Sequence, residues 1–228
     1  KEMIVVMPNG NADRAATPGE DPYNTDGEAA SAVPSMFGRI ETAFVPDIVN
    51  YVDSHYATLA DKAHRAIAGL SMGGMHTLFI TANNPGSFDY IGLFSAKIVN
   101  EFTKDNRLRR IRRAGEQADN LGQLLPSIVR KGPGNDVLRL KQYADSGNVA
   151  IYDSLDTKLE RLFAARPKLY YLAIGDTDFL LDENEAFLTE LDKKHYAYTY
   201  NPTDGGHEWM NWRRYLVDFL PRLFLGTE

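Results

Sequence analysis

Apolar residues in this chain form short continuous runs, and five of these runs are predicted to be β-strands. A continuous run, unlike one that alternates with polar residues, is typical of a strand that is buried on both faces. Most of the runs end at Gly, Pro or Asn, which favour turns. The predicted strands are Ile4 to Met7, Arg65 to Ala68, Tyr90 to Phe94, Leu169 to Ile174 and Tyr196 to Tyr200.

Stretches with apolar residues at helical spacing separate most of these strands. The predicted helices are Ile40 to Tyr56, Ser71 to Ala82, Glu183 to His195 and Trp212 to Phe224, the last interrupted near Pro221. Within the first of them, Pro46 favours a helix that begins near that residue over one that runs through it. Because strands and helices alternate, the chain is predicted to have an α/β fold with a mainly parallel sheet and helices on both faces.

Two stretches do not follow this alternation. Asn11 to Arg39 is rich in Gly, Pro, Ala, Asp and Asn, so we expect a long loop that covers or borders a site. Phe102 to Arg166 is predicted to be a helical insertion before a later strand. We expect its helices to pack over one edge of the sheet, and a cap over an active site is the alternative. Its basic run, Lys104 to Arg113, is typical of a solvated helix face.

The composition excludes several classes of function. The 228 residues include 31 acidic and 25 basic side chains, and the net charge of −6 argues against a general nucleic-acid-binding protein. The 0 cysteines exclude a disulfide scaffold, a thiolate nucleophile and a Cys-ligated zinc site. No apolar run approaches the roughly 20 residues that cross a bilayer, so no membrane partner is expected. The chain begins at Lys1 without a signal-like segment, so it does not indicate a compartment.

The strongest chemical signal is the motif GLSMGG at Gly69 to Gly74, between a predicted strand and a predicted helix. A serine on such a tight turn adopts a strained backbone conformation that exposes its hydroxyl, and the glycines two before and two after it leave room for the turn. The free amides at the start of the helix can stabilise an oxyanion. Ser71 is therefore predicted to be a nucleophile. The alternative is a serine that only caps the helix.

A serine nucleophile requires a base and an acid that orients the base, and both are expected in loops after later strands. His207 differs from the other four histidines because it lies in a Gly-rich loop after the last predicted strand. Its alternative role is to cap the final helix. Asp176 and Asp178 are both candidates for the acid, and Asp178 has the better reach because it lies further into its loop. Asp182 and Glu185 are more distant candidates that fit the start of the next helix.

No metal ion or cofactor is indicated. The pair His207-Glu208 lacks a second histidine at ligand spacing, and neither a dinucleotide-binding nor a P-loop motif is present. Trp209 and Trp212 follow His207 closely. They are candidates for binding a planar aromatic or sugar substrate, although aromatic side chains are more often part of a core.

The combined motifs resemble the esterase D-like α/β-hydrolases and, within them, carbohydrate esterase family 1, the feruloyl and acetyl xylan esterases. The resemblance covers most of the chain outside Asn11 to Arg39 and Phe102 to Arg166. It rests on five segments, which are Ile4 to Gly10, Asp47 to Tyr56, His64 to Gly74, Gly175 to Asp178 and Gly205 to His207. It implies a single α/β-hydrolase domain over residues 1–228.

Carried over by position, the resemblance implies four roles. Ser71 is the nucleophile, His207 the general base and then acid, Asp178 the orienting acid, and the Met72 amide a donor in the oxyanion hole. Family members hydrolyse esters of ferulate or acetate on plant polysaccharide, usually as secreted enzymes. We therefore expect a serine carboxylic-ester hydrolase that acts on feruloylated or acetylated xylan or oligosaccharide, with ferulate favoured. The alternatives are a non-catalytic carbohydrate-binding module and an enzyme that transfers the acyl group to a sugar.

The sequence departs from the family pattern at its start. Such proteins carry several strands before the one predicted at Ile4 to Met7, and a His-Gly-rich loop among them donates the second oxyanion hydrogen bond. We expect either that such a segment exists outside this chain or that the chain alone is a poor enzyme. The reason is that the loss of one oxyanion donor lowers turnover by about 100- to 1000-fold.

Overall fold

Four parallel strands form one sheet in the computed structural model, which describes residues 2–8, 10, 39–98 and 151–225. The strands follow one another in chain order across the sheet. They are β1 (Ala66–Leu70), β2 (Tyr90–Phe94), β3 (Leu169–Gly175) and β4 (Thr199–Thr203). In the register of the sheet, Leu70 pairs with Phe94, and Phe94 pairs with Ala173. The prediction of an α/β fold with a parallel sheet is confirmed.

Helices connect the strands and cover both faces of the sheet. Those in the described residues are α1 (Arg39–Ala43), a π-helix (Phe44–Val49), α2 (Asn50–His55), a 3-10 helix (Lys62–His64), α3 (Met72–Asn83), α4 (Leu155–Ala164), α5 (Leu181–Lys193), α6 (Trp209–Phe219) and a second 3-10 helix (Leu220–Arg222). None of the described helices is long and apolar enough to cross a membrane.

The core consists of two layers, because successive side chains of a strand point to opposite faces. On one face, Ile91 and Leu93 of β2 belong to a cluster with buried residues of α3, α4 and α5. On the other face, Tyr90 and Phe94 belong to a cluster with Tyr215 and Phe219 of α6. Both faces of the sheet are therefore buried, which explains why the strands are continuous apolar runs in the sequence.

A buried carboxylate joins α1 to α3. Glu41 is almost fully buried, and one of its oxygens lies 2.9 Å from Nδ1 of His76. The Tyr152 hydroxyl donates to the same oxygen at 2.7 Å. Because a buried carboxylate is costly without partners, these bonds fix α1 against the sheet-covering helix α3.

The predicted strand at Ile4 to Met7 is wrong. Residues 2–8 have no regular secondary structure, and the side chains of Met3 to Met7 are 44 to 88% exposed. A strand forms only where a neighbouring strand completes its hydrogen-bond ladder, and none of the described residues pairs with this segment. Its apolar composition alone therefore does not make it a strand.

Other boundaries also differ from prediction, and the last helix begins at Trp209 rather than Trp212. The first helical segment runs through Pro46, because a π-helix widens the turn there and absorbs the loss of an amide donor. The last strand begins at Thr199 rather than Tyr196. Tyr196 instead stacks on Phe163 at 4.1 Å between ring centroids, and its amide donates to the Leu191 carbonyl of α5. Its apolar ring therefore packs against helices and does not belong to the strand.

β4, the outer strand of the sheet that the described residues form, contains a proline. The Thr203 carbonyl accepts a hydrogen bond from the Asp176 amide on the β3 side. Because successive peptide groups of a strand alternate sides, the nitrogen of Pro202 faces away from β3, where its missing proton leaves the β3–β4 ladder intact.

The predicted insertion Phe102 to Arg166 is described only at its end. There α4 buries Leu155, Leu159 and Leu162 in the core that it shares with α3 on one face of the sheet. The basic run Lys104 to Arg113 lies outside the described residues, as does the predicted loop Asn11 to Arg39 except for its last residue.

Candidate active site

Ser71 lies on a strained turn between β1 and α3. Its φ of 54° and ψ of −116° are conformations that residues other than glycine rarely adopt. The Ser71 amide donates to the Phe94 carbonyl at 2.9 Å, and the Ser71 carbonyl accepts from the Lys97 amide at 3.0 Å and the Met75 amide at 3.3 Å. The neighbouring strand and the helix thus hold the turn in place.

Two of the three glycines of the motif are required by close contacts. A Cβ atom at Gly69 would lie 2.1 Å from the Gly73 carbonyl oxygen, and one at Gly74 would lie 2.5 Å from Cβ of Ala96. Among the described residues, none would lie within 4 Å of a Cβ at Gly73. The expectation that the glycine two after the serine leaves room for the turn is therefore wrong for the part of the chain that the structure describes, where Gly74 makes the close contact instead.

The structure brings Ser71, His207 and Asp178 together in one hydrogen-bonded chain. Ser71 Oγ lies 2.8 Å from His207 Nε2, and His207 Nδ1 lies 2.9 and 3.0 Å from the two oxygens of Asp178. A carboxylate only accepts hydrogen bonds, so Nδ1 carries the proton and Nε2 of the neutral ring accepts from the serine hydroxyl. This is the tautomer that a general base at Ser71 requires.

The Asp178 carboxylate is ionised although its side chain is fully buried. Burial alone would raise the pKa of Asp178. The hydrogen bonds from His207 and from the Leu180 amide, at 2.9 Å from Oδ1, outweigh burial and hold this pKa below its ordinary value. The site therefore contains a buried negative charge that would stabilise a positive imidazole.

The loops after β3 and β4 are joined by backbone contacts. The Thr177 amide donates to the Gly205 carbonyl at 3.1 Å, and the Gly205 amide donates to Asp176 Oδ1 at 2.9 Å. A Cβ at Gly175 would lie 1.9 Å from the Gly205 oxygen, and Gly205 has a φ of +93°. Glycine is needed at both positions, and the contacts fix the loop that carries His207.

The four candidates for the orienting acid have different positions and contacts in the structure. Asp178 contacts His207, whereas Asp176 caps the Gly205 amide and so shapes the turn. Asp182 and Glu185 lie in the first two turns of α5. Sequence spacing favoured Asp178, but the bond from Asp176 to the histidine loop was not anticipated.

Aromatic side chains surround the imidazole of His207. The ring of Trp212 lies edge-on at 5.0 Å, and Trp209 lies 5.1 Å beyond it and is 65% exposed. Sequence reasoning missed Phe179, whose ring centroid lies 4.5 Å from that of His207. Its signal in the sequence is an aromatic residue directly after the polar run Asp176 to Asp178.

The start of α3 supplies donors for an anion. Met72 is the first residue of α3, so its amide belongs to the group that has no partner within the helix. Among the described residues, no group of three or more His, Cys, Asp or Glu side chains could hold a metal ion. The arrangement can perform nucleophilic attack by a serine with base assistance.

A strained serine between a parallel strand and a helix, bonded to a histidine in a later loop, defines the α/β-hydrolase class. Residues 1–223 match the model of the Esterase family, and the chain belongs to that family. It is 33% identical over 177 residues to an acetyl esterase of Caldicellulosiruptor saccharolyticus, covering 75% of this chain and 59% of that protein. It is 46% identical over 57 residues to an endo-1,4-beta-xylanase/feruloyl esterase of Xylanibacter ruminicola, covering 25% of this chain and 8% of that protein. The chain thus spans less than two thirds of the length of either relative.

Solved structures share the fold. A CE1 ferulic acid esterase of Anaeromyces mucronatus, in complex with ferulic acid, superposes with a TM-score of 0.55 at 15% identity, covering 100% of this chain and 67% of that one. An S-formylglutathione hydrolase of Staphylococcus aureus superposes with a TM-score of 0.53 at 17% identity, covering 84% and 64% of the two chains.

The glycine contacts predict opposite outcomes for two neighbouring substitutions. Gly74→Ala should lower the free energy of unfolding by about 1–3 kcal/mol, because the new methyl group would overlap Ala96. Gly73→Ala should leave it unchanged or raise it by up to about 1 kcal/mol, since the site is open and alanine favours a helix. Urea unfolding of the two variants measures the difference. Equal destabilisation by both would contradict the contacts.

The low pKa of Asp178 predicts an acid-dependent loss of stability. A carboxyl group whose pKa is lower in the folded state stabilises that state above its ordinary pKa, about 3.9. This contribution is lost as the pH falls from there through the folded value. Asp178→Asn should therefore be less stable than wild type at pH 6, and the gap should narrow below about pH 4. Urea unfolding across this range is the measurement, and a gap independent of pH would refute the prediction.

Proposed function

We propose that this protein is a serine carboxylic-ester hydrolase. The hydrogen-bonded chain from Ser71 Oγ through His207 to the buried Asp178 carries this assignment. In the proposed roles, Ser71 is the nucleophile, His207 the general base and acid, and Asp178 the group that orients the imidazole. Membership of the Esterase family supports the same reaction.

In the acylation half-reaction, Ser71 Oγ attacks the ester carbonyl carbon while Nε2 of His207 takes the hydroxyl proton. The carbonyl oxygen becomes an oxyanion, and the Met72 amide at the start of α3 donates a hydrogen bond to it. The imidazolium is stabilised by the ionised Asp178 carboxylate. The bond to the leaving oxygen then breaks as Nε2 returns the proton to it, so an alcohol leaves and an acyl-serine remains.

Deacylation repeats these steps with water in place of the alcohol. Nε2 of His207 takes a proton from water, and the resulting hydroxide adds to the acyl carbon. The proton returns to Ser71 Oγ as the acid is released. The balance of the two half-reactions is one ester and one water consumed, and one acid and one alcohol formed.

We infer that the substrates are acyl esters of plant cell-wall polysaccharide, with ferulate the favoured acyl group. The xylanase/feruloyl esterase relative supports this class of substrate, as do Trp209 and Trp212 beside the base, which offer flat apolar surfaces for a planar acyl group or a sugar. Acetate is the second candidate, which the acetyl esterase relative favours.

Ser71→Ala tests the nucleophile. The substitution should lower kcat for a carboxylic ester by about 10⁶-fold, because water must then attack without a covalent intermediate. Turnover of p-nitrophenyl acetate measures the loss, and Ser54→Ala, at an exposed serine of α2, is the matched control that should retain full activity. Labelling by a fluorophosphonate should be stoichiometric in wild type and absent in Ser71→Ala. Xylan binding without labelling of wild type would instead favour a non-catalytic carbohydrate-binding module.

The acyl group is tested by comparing methyl ferulate with acetylated xylan. We expect the higher kcat/KM for methyl ferulate. Trp212→Ala should lower kcat/KM more for the ferulate ester than for the acetate ester, since only the larger acyl group extends as far as the ring. A strong preference for acetylated xylan in wild type would reject ferulate as the favoured acyl group and leave the serine mechanism intact.

A further inference from the structure

Asn211 is a polar side chain that is buried beside the loop of His207. It lies in the first turn of α6, four residues after His207, and is only 1% exposed. The burial of an amide is unfavourable unless its polar groups form hydrogen bonds. No step of the proposed reaction involves this side chain directly, so its burial next to the site requires a different reason.

The side-chain amide of Asn211 holds the peptide group that precedes His207. Nδ2 of Asn211 donates to the Gly206 carbonyl at 3.0 Å. A carbonyl oxygen only accepts hydrogen bonds, so the nitrogen of the amide is the atom that faces it. The Gly206 carbonyl and the His207 nitrogen belong to one planar peptide group. A bond that fixes this oxygen therefore also fixes the direction in which the chain enters His207.

Two glycines leave room for this amide. A Cβ atom at Gly205 would lie 2.7 Å from Nδ2 of Asn211, and one at Gly175 would lie 3.0 Å from the same nitrogen. Gly175 ends β3, and Gly205 belongs to the loop after β4. The amide of Asn211 therefore packs where these two loops meet.

The hydrogen bonds of Asp176 and Thr177 to this loop act on Gly205, two residues before His207. The Asp176 side chain accepts from the Gly205 amide, and the Gly205 carbonyl accepts from the Thr177 amide. Gly206 follows, and a glycine has more accessible backbone conformations than other residues. The bond from Asn211 acts beyond this flexible point, on the peptide group next to the base.

The helix α6 is a rigid support for Asn211. Tyr215 and Phe219 of this helix are buried in the core layer that contains residues of β2 and β3. The backbone amide of Asn211 donates to the Glu208 carbonyl at 3.1 Å. Because close-packed interiors resist displacement, the position of the side chain is set by packing outside the site.

Stability alone does not explain an asparagine here. Oδ1 of Asn211 is buried, and none of the residues that the structure describes donates a hydrogen bond to it. A buried acceptor without a partner carries a cost in free energy, which an apolar side chain would avoid. The contact of Nδ2 with the Gly206 carbonyl is the feature that requires an amide.

We propose that Asn211 is a positioning residue that holds the imidazole of His207 between Ser71 and Asp178. This inference rests on the proposed ester hydrolysis and adds a residue that acts through the general base. The amide fixes the Gly206 peptide group, which sets the direction in which the His207 side chain leaves the backbone. The contacts of 2.8 Å with Ser71 Oγ and 2.9 Å with Asp178 depend on that direction.

Two substitutions remove the donor. Asn211→Ala deletes the amide, and Asn211→Asp keeps its shape but only accepts hydrogen bonds when ionised. Both should lower kcat for p-nitrophenyl acetate by about 100-fold, the cost of a displacement of about 1 Å. KM should stay near the wild-type value, because acylation and deacylation use the same base and slow together.

The proton on Nδ1 of His207 gives a measurement that does not depend on turnover. A proton held by a carboxylate resonates far downfield in the NMR spectrum, and His207→Ala identifies this signal by removing it. In Asn211→Ala the resonance should move upfield or disappear through exchange with water. Asn84→Ala is the matched control, because Asn84 Nδ2 also donates to a backbone carbonyl, that of Ile80 at 2.8 Å. It should lower the free energy of unfolding in urea without changing kcat or the resonance.

An unchanged kcat in Asn211→Ala would overturn the proposal, and so would a lower kcat with an unchanged Nδ1 resonance. Failure of both Asn211 variants to fold would assign the residue to stability alone and overturn it as well. If wild type showed no Ser71-dependent hydrolysis of any ester, the proposed function would fail instead. The Nδ1 resonance would then still report whether Asn211 holds the imidazole in place.

Discussion

The hydrogen bond between Ser71 and His207 joins side chains 136 positions apart, and it depends on the register of the parallel sheet. Leu70 at the end of β1 is aligned with Phe94, which is aligned with Ala173, so the turns that follow β1, β3 and β4 emerge at one edge. A shift of one residue between two strands moves them by about 3.3 Å. That distance exceeds the tolerance of any hydrogen bond. The hydrogen bond between Ser71 and His207 therefore requires the same strand register as the packing of the core on the two faces of the sheet.

The strained conformation of Ser71 is stabilised by elements that have no chemical role. Such a backbone costs about 1–3 kcal/mol and persists only where its surroundings over-determine it. Here they do so through α3, whose residues from Gly74 to Ala82 are all buried, and through β2, whose last carbonyl accepts from the Ser71 amide. A substitution deep in α3 would therefore affect the serine without any contact to it. The loops after β3 and β4 are fixed independently of this turn, by the close approach of Gly175 to Gly205.

Sequence patterns predicted the features that depend on local chemistry and missed those that depend on distant partners. The interior strand β2 and the serine turn were recognisable because burial on both faces and a glycine-flanked serine leave a local signature. The strand expected at Ile4 to Met7 failed because a strand also needs a neighbour, which composition does not report. Spacing favoured Asp178 over Asp176, but only the fold shows that each carboxylate contacts a different part of the same histidine loop. Phe179 was overlooked because one aromatic residue in a turn has no periodic pattern.

The proline in β4 affects how two copies of this protein could pair through the edges of their sheets at high concentration. The outer edge of a sheet normally offers a row of free backbone donors and acceptors that can template pairing with another chain. The nitrogen of Pro202 faces that side and has no proton, so one donor of the row is missing at the level of Ile174 in β3. A second copy that continued the sheet across this strand would lack one hydrogen bond of the ladder at that level. The loop that carries His207 begins two residues later, so the gap in the row of donors lies directly beside that loop.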